Sequence, residues 1–439
     1  MVNLKKYRNK KFAIYGMGIT GCSVAKTLKK LKAEVHCWDD NQKIREKAKK
    51  LDFLVKKFWL NQNSVHYIVI SPGIDIKKSK IKNFLNKNSN KIITDLDLFF
   101  ELNKNSLIIS ITGTNGKSTT CKIMEKILRA AKYKVKTVGN IGNPILSANN
   151  LNKKYVYVLE LSSYQLEYSK LFRSKHAAIL NISPDHLERH KNIEKYRKIK
   201  SRIFFAQKSS DYSYINNRNQ YSKPIKNIFR NKKLKSKLIF VDKENCNFLI
   251  KKIKNKYFTN QSNIENLAFA YRIAKNLKIN NKIIIKALNK FKGLPHRQEI
   301  LFSNKNIICV NDSKATSFDA SLQSLLNYNN IYWILGGTPK YQDFFNLKNV
   351  KNKIIKAYIV GKNINFFKKK IKNNIKYKIS KNIKNAVKSI FKDIKLNENT
   401  QKTILLSPAA ASFDQFENFE SRGNYFKNLI FRNLKRKNV

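Results

Sequence analysis

Apolar, β-branched runs of strand length recur along the chain, and most of them end in a turn that gives way to a helical period. Phe12–Tyr15 is followed by the turn Gly16-Met-Gly18-Ile-Thr20-Gly21, a predicted helix over Ser23–Leu31 and a second strand over Glu34–Trp38. Tyr67–Ile70 is a further strand, stopping at Ser71-Pro-Gly73. Leu107–Ile111 leads into Gly113-Thr-Asn-Gly116, after which Ile123, Ile127 and Ala130 or Ala131 share a helix face. Tyr155–Leu159 ends at Glu160, and Ala178–Asn181 ends before Ser183-Pro-Asp185-His186. Helices are predicted over Glu194–Gln207, Gln261–Leu277 and Asn281–Phe291. Strands at Ile307–Val310, Ile331–Leu335, Ala357–Val360 and Thr403–Leu406 are each followed by turn residues, and an amphipathic helix spans Phe419–Leu434. This alternation predicts an α/β protein of three domains with mostly parallel sheets. A Rossmann-like domain is expected over 1–94, a central P-loop-type domain over 95–297 and a second Rossmann-like domain over 298–439. Lys91–Leu102 is the expected link between the first two, and Gly293–Arg297 the hinge into the third.

Composition changes this picture little. No run approaches about 18 apolar residues, so no membrane span is expected. The N-terminal MVNLKKYRNK lacks an apolar core, so a cytoplasmic location is expected rather than secretion. Cys22, Cys37, Cys121, Cys246 and Cys309 are scattered and never form a CxxC pair, which predicts reduced thiols and no zinc site. The net charge of +62 invites a nucleic-acid reading. The lysines are spread over nearly every helix and loop, however, and no base-reading module or aromatic stacking motif accompanies them. The abundant residues (Lys, Asn, Ile, Phe, Tyr) have AT-rich codons, so base composition accounts for the charge. Solvated surface is expected, with no nucleic-acid or membrane partner.

The chemistry concentrates at strand ends. Residues 107–120, LIISITGTNGKSTT, place a glycine loop, Gly-Lys-Ser and a helix after a strand. Loop amides and the helix N-terminus face an anion, Lys117 supplies a cation, and the Ser118 hydroxyl can ligate Mg²⁺. Only Thr114 and Asn115 separate the glycines, against four residues in the strict P-loop pattern. Glu160, a carboxylate ending a neighbouring strand, suits a metal ligand. Asp185-His186, after a strand and a proline turn, suits metal or substrate. The turn at 16–21 is a GxGxxG with Asp39 and Asp40 about 20 residues on. By itself it fits NAD, another nucleotide diphosphate, or close helix packing.

Six motifs in order resemble the Mur ligases, which add amino acids to the peptidoglycan precursor. They are GTNGKST (113–119), GNIG (139–142), ELSSYQLE (160–167), Asp-His (185–186), GLPHR (293–297) and NDSKAT (311–316). The run LSPAAASFDQFENFESRGNYF (406–426) is most similar to the D-glutamate-adding branch; GMGITGCS and SPGI agree, and a DNPR-type motif is absent. The resemblance implies an ATP-dependent, cytoplasmic, monomeric ligase joining D-glutamate to UDP-N-acetylmuramoyl-L-alanine through an acyl phosphate. It implies UDP-sugar binding in the first domain, with Gly18, Thr20, Asp39, Ser71 and Gly73 at the uridine diphosphate. Asn140, Gln165 and His186 match the sugar and alanyl contacts. Gly113, Thr114, Asn115, Gly116, Lys117, Ser118, Thr119, Asn263, Asn266, His296, Arg297, Asp312 and Lys314 match ATP contacts. Ser118, Glu160, His186 and Lys200, the last as a carbamate, match ligands of two Mg²⁺ ions (or Mn²⁺), and Lys117, Glu160, His186 and Lys200 match the catalytic set. Thr316, Lys340, Ser412 and Phe419 match the D-glutamate pocket. The chain departs from the family at Ser262-Asn263, where a His-Asn pair is usual, at the GGTPK loop around Lys340, where an acidic-glycine step usually precedes the lysine, and at Asp40-Asn41.

Overall fold

In the computed structural model, residues 4–60, 65–140, 144–148, 155–340, 343–394 and 400–436 are described. They form three sheets in two compact units. One unit is Met1–Thr259 with Asn263–Phe291, and the other is Asn260–Ser262 with Lys292–Val439. The two sheets expected on either side of residue 94 therefore share a unit, and the expected hinge, Gly293–Arg297, belongs to the second unit.

The first sheet is parallel, with β1 (Lys11–Tyr15), β2 (Glu34–Trp38), β3 (Leu54–Val55), β4 (Tyr67–Ile70) and β5 (Ile92–Ile93) in the order β3-β2-β1-β4-β5. Strand order reverses between β1 and β4, so the turns after Tyr15 and Ile70 meet at the switch point where open α/β sheets bind ligands. The helix after β1 begins at Ile19 rather than Ser23, because the glycine turn itself supplies the first helical residues. The expected link at 91–102 is ordered structure: β5, then a helix over Asp95–Leu102 closed by a capping box between Thr94 and Asp97. Buried Asp97 also accepts hydrogen bonds from Ser169 Oγ and from the backbone N–H groups of Lys170, Leu171 and Phe172. These bonds tie that helix to the second sheet.

The second sheet comprises β6 (Ile108–Thr112), β7 (Val135–Gly139), β8 (Val156–Glu160), β9 (His176–Ile179), β10 (Tyr212–Asn216) and β11 (Lys237–Val241). All are parallel, in the order β11-β10-β9-β6-β8-β7. β6 and β8 are buried along their whole length, as their unbroken apolar runs require in a sheet covered on both faces. With β6 between β8 and β9, the loops that follow these three strands converge on one edge. The single helix predicted over Glu194–Gln207 is a helix over Ile193–Ser201 and a 3₁₀ turn over Arg202–Phe204.

The second unit holds β12 (Glu299–Ser303), β13 (Ile307–Asn311), β14 (Ile331–Gly336), β15 (Ile354–Val360), β16 (Tyr377–Lys381) and β17 (Lys402–Leu406). Their order is β12-β13-β17-β14-β15-β16, parallel except for the edge strand β12. The C-terminal helix runs over Phe419–Arg436. All five cysteines are free thiols. Among the described residues no helix is long and apolar enough to cross a membrane.

Candidate functional site

The loop after β6 is braced from outside. Asn115 N–H donates to Asn181 Oδ1 (2.8 Å), Asn181 Nδ2 donates back to Asn115 O (3.2 Å), and Ser183 N–H donates to Thr114 Oγ1 (3.0 Å). Gly116 closes the loop with φ +81°, and a Cβ there would lie 2.1 Å from Asn266 Oδ1. Only glycine admits both that backbone and that neighbour. Asn266 Oδ1 also accepts from Thr120 Oγ1 (3.3 Å), so the helix over Gln261–Asn276 packs against the phosphate loop. Asn263, one turn earlier, is buried and donates to Tyr257 O.

Lys117 opens the helix over Lys117–Ala130 and folds back over the loop, its Nζ donating to the carbonyls of Gly113 (2.9 Å) and Thr114 (2.7 Å). Ser118 Oγ donates to Glu160 Oε2 at 2.6 Å, while Asn140 Nδ2 donates to Oε1 (3.1 Å). Thr119 is buried in the first turn of the same helix. Lys200 is buried, with Nζ donating to Gly113 O (2.9 Å) and Thr112 Oγ1 (3.3 Å). Burial, first, and then the charge of Lys117 hold its pKa well below the ordinary lysine value; Asp185 and Glu160 oppose this. Four of the expected charges are thus neighbours.

A cavity of about 640 Å³ opens here, lined by Lys117, Asn140, Gln165, Asp185, His186 and Lys200, and by Thr20 and Gly73 from the first sheet. His186 adopts a left-handed backbone (φ +54°), with Nδ1 3.2 Å from Tyr164 Oη and Nε2 3.4 Å from Asp185 Oδ2. Gln165 Oε1 accepts from Ser162 N–H and Oγ in a capping box. Ile141 and Gly142 of the GNIG motif, and Asn143, lie outside the described residues. Among the described residues no group of three or more His, Cys, Asp or Glu is placed to hold a metal ion. The oxygen donors that do meet are Ser118 and Glu160.

At the first sheet the expected uridine contacts divide. Thr20 and Gly73 face the cavity, whereas Asp39 and Ser71 are spent on backbone groups of the turn after β1. The Asp39 carboxylate accepts from Met17 N–H (2.7 Å) and Asn41 N–H (2.9 Å), and Ser71 Oγ donates to Gly16 O (2.6 Å). Gly18 caps the helix over Ile19–Lys30 without a side chain. Sequence reasoning missed Arg189, which donates to Ile74 O (2.6 Å) and pairs with Glu167 (2.8 Å), joining the Ser71–Ile74 turn to the loop that carries His186. It also missed Asn181 and Tyr196. The strand expected over Ala178–Asn181 is β9, His176–Ile179, and Asn181 stands two residues past its end beside the glycine loop, a position that is itself a signal.

In the second unit, Lys314 Nζ lies 3.6 Å above the Phe419 ring centroid, and His296 meets the same ring edge-on at 6.4 Å. Thr338 and Ala411 exchange backbone hydrogen bonds at 2.9 Å, which brings the loops carrying Lys340 and Ser412 side by side. Asp312, expected at the nucleotide, is turned inward and accepts from Ser324 Oγ (2.5 Å), Ser407 Oγ (3.1 Å) and Gln298 N–H (3.2 Å). Burial pushes its carboxyl up to about 6. It holds the 311–316 loop, with Arg297, Lys314 and Thr316 carried on or beside it.

Residues 111–286 match the Mur ligase middle domain, and residues 10–93 match the MurD-like N-terminal domain of Mur ligases. The chain is 37% identical to the UDP-N-acetylmuramoylalanine–D-glutamate ligase of Rickettsia prowazekii (strain Madrid E), over 98% of this chain and 99% of the relative. Proteins of the same name from Clostridioides difficile (strain 630) and Wolbachia pipientis wMel are 34% and 32% identical, each with at least 98% of both chains covered. Among solved structures, the MurF ligase of Thermotoga maritima in complex with ADP shares the fold, with a TM-score of 0.57, 14% identity and 98% of each chain covered. Relatives this similar from end to end, around a lysine-bearing loop set against a buried strand-end glutamate, establish that the chain belongs to the Mur ligase family.

Proposed function

We propose that the chain is an ATP-dependent ligase that joins D-glutamate to UDP-N-acetylmuramoyl-L-alanine in peptidoglycan precursor synthesis. The observation that carries this reading is a cavity lined by Lys117, Asn140, Gln165 and His186, with Asn140 bonded to Glu160 and Glu160 to Ser118 behind it. A carboxylate is a poor acyl donor until an oxygen is made a leaving group. The alanyl carboxylate therefore attacks the γ-phosphorus of ATP, forming an acyl phosphate and releasing ADP. The D-glutamate amine adds to the acyl carbon, loses a proton, and the tetrahedral intermediate expels phosphate as the amide forms.

Each protein group answers a need of that sequence. The N-terminus of the helix that Lys117 opens, and Lys117 itself, offset phosphate charge where two anions must meet; the Thr114 and Asn115 amides are spent on Asn181. Ser118 and Glu160 are hard oxygen donors, the type that magnesium takes, and with His186 they are the proposed ligands of Mg²⁺, as two ions, or of Mn²⁺. Bound there, the metal supplies charge neutralisation on the transferred phosphoryl group. Lys200 is proposed as a carbamate: its amine is buried and held toward the neutral form that adds CO₂, which turns a cation into an oxygen donor. Asn263, Asn266, His296 and Arg297 are assigned to the nucleotide, and Thr316, Lys340, Ser412 and Phe419 to D-glutamate. Asp39 and Ser71 act at the uridine end by shaping the turns that carry Thr20 and Gly73.

In domain terms the proposal is UDP-sugar binding by 1–94, ATP binding by 95–297 and amino-acid binding by 298–439, in a monomeric cytoplasmic enzyme. The test is substrate dependence. ADP release is expected to be coupled to amide formation with D-glutamate and the UDP-muramoyl-alanine acceptor present, and far slower with L-glutamate. Equal turnover of both enantiomers, or turnover with a folate acceptor, would contradict the specificity proposed.

A further inference from the structure

Gly423 is the fifth residue of the C-terminal helix, a position where glycine weakens a helix and where alanine is the favoured small residue. The neighbour explains the choice. A Cβ at Gly423 would stand 2.2 Å from His296 Nδ1, 2.7 Å from Cγ and 2.9 Å from Cε1, closer than two such atoms come. The imidazole thus lies directly on the helix backbone.

Asn311, fully buried at the end of β13, completes the seat. Its Nδ2 lies 3.2 Å from Gly423 O, 3.2 Å from Glu299 Oε2 and 2.9 Å from His296 Nδ1. A carbonyl and a carboxylate can only accept, so the atom facing them is the Asn311 amide nitrogen, whose two hydrogens are shared among three acceptors. An N–H on His296 Nδ1, 2.9 Å away, would point donor at donor, so Nδ1 is the unprotonated nitrogen. The proton of the neutral ring then sits on Nε2. His296 also holds a left-handed backbone (φ +61°), and its carbonyl accepts from Lys314 N–H (3.0 Å), so the ring's seat fixes the neighbouring loop.

We propose that Gly423 and Asn311 are positioning residues that hold His296 as its Nε2–H tautomer, presenting that N–H as the donor for the nucleotide. The inference rests on the assignment of His296 to the nucleotide made above, and the experiment separates the two. Steady-state KM values for ATP and for the UDP-sugar are measured for Gly423→Ala, His296→Ala and the double variant. Gly423→Ala is expected to raise KM for ATP about tenfold, with KM for the UDP-sugar changed less than twofold. In the His296→Ala background, where space replaces the ring, the same substitution is expected to change KM for ATP less than twofold.

Equal penalties for Gly423→Ala in both backgrounds, or none in either, would overturn the positioning role while a raised KM for His296→Ala alone keeps the nucleotide assignment. An unchanged KM for His296→Ala would overturn that assignment and the proposal with it. Should Gly423→Ala not fold, ¹⁵N NMR of the imidazoles in the wild-type protein decides: an Nε2–H tautomer at His296 supports the seat, and an Nδ1–H tautomer overturns it.

Discussion

Two glycine turns open the two sheets of the first unit, and they are held in opposite ways. The turn at 16–21 is braced by polar side chains belonging to the ligand-binding pattern itself: Asp39 takes two backbone N–H groups and Ser71 reaches Gly16 O. The turn at 113–116 is braced by residues from elsewhere, Asn181 and Ser183, while Lys117 lines the cavity and Ser118, next to it, is bonded to Glu160. The same motif logic, glycine turn plus acid plus hydroxyl, thus yields a scaffold in one place and reaction chemistry in the other. Which of the two a polar residue serves depends on what else satisfies the backbone around it.

The comparison is broken most decisively at Lys117. Lys117→Ala is expected to lower kcat about 10³-fold, as loss of a charge aimed at the transferred phosphoryl group does. Its unfolding free energy should stay within about 1 kcal/mol of wild type, because the lysine caps a loop already braced by Asn181 and Ser183. A loss of stability with activity retained would reverse the roles given to the two turns. Glu160→Gln keeps the shape and removes the charge; a fall in kcat of about 10²-fold and a raised Mg²⁺ requirement are expected from a metal titration of the rate.

Asp39→Ala is the mirror experiment. Removing a buried carboxylate that accepts two N–H groups should cost about 2 kcal/mol in urea unfolding, with kcat at saturating substrate little changed. A fall in kcat as large as that of Glu160→Gln, with stability intact, would place Asp39 in the chemistry instead.

The smallest effect expected lies beneath the brace. His176, on β9 just before Asn181, is buried, stacks on Tyr212 at 5.1 Å and hydrogen-bonds Tyr214 Oη (2.9 Å). Burial, with Lys175 adjacent, lowers its pKa to about 4. The unfolded chain then takes up a proton at about 6.5 that the folded chain refuses until about 4, so stability is full above pH 6.5 and falls through that window. His176→Phe should flatten the pH dependence of the urea midpoint between these values by about one proton; an unchanged slope would contradict it.

The fold and the phosphate loop were legible because they are local. A strand, a turn and a helix share one stretch of chain, and Glu160 ends an unbroken apolar strand. Lys200 was legible only through the family resemblance, since in a chain with 90 lysines and arginines nothing local marks one as buried. Its helix does place Tyr196 and Lys200, four apart, on the inward face. The two-residue strands β3 and β5 are too short for a period to register, and β16, YKISK, reads as a lysine-rich loop. The inward turn of Asp312 toward Ser324 and Ser407 depends on contacts across 12 and 95 residues, which no spacing reveals. Gly423 is the same case: its reason is a histidine 127 positions earlier.

The central claim is that the cradle around Lys117 serves phosphoryl transfer to a carboxylate before amide formation. It is tested most directly with UDP-N-acetylmuramoyl-L-alanine labelled with ¹⁸O in the alanyl carboxylate. The account predicts one ¹⁸O atom in the phosphate released per amide formed; unlabelled phosphate, with amide still produced, would contradict it.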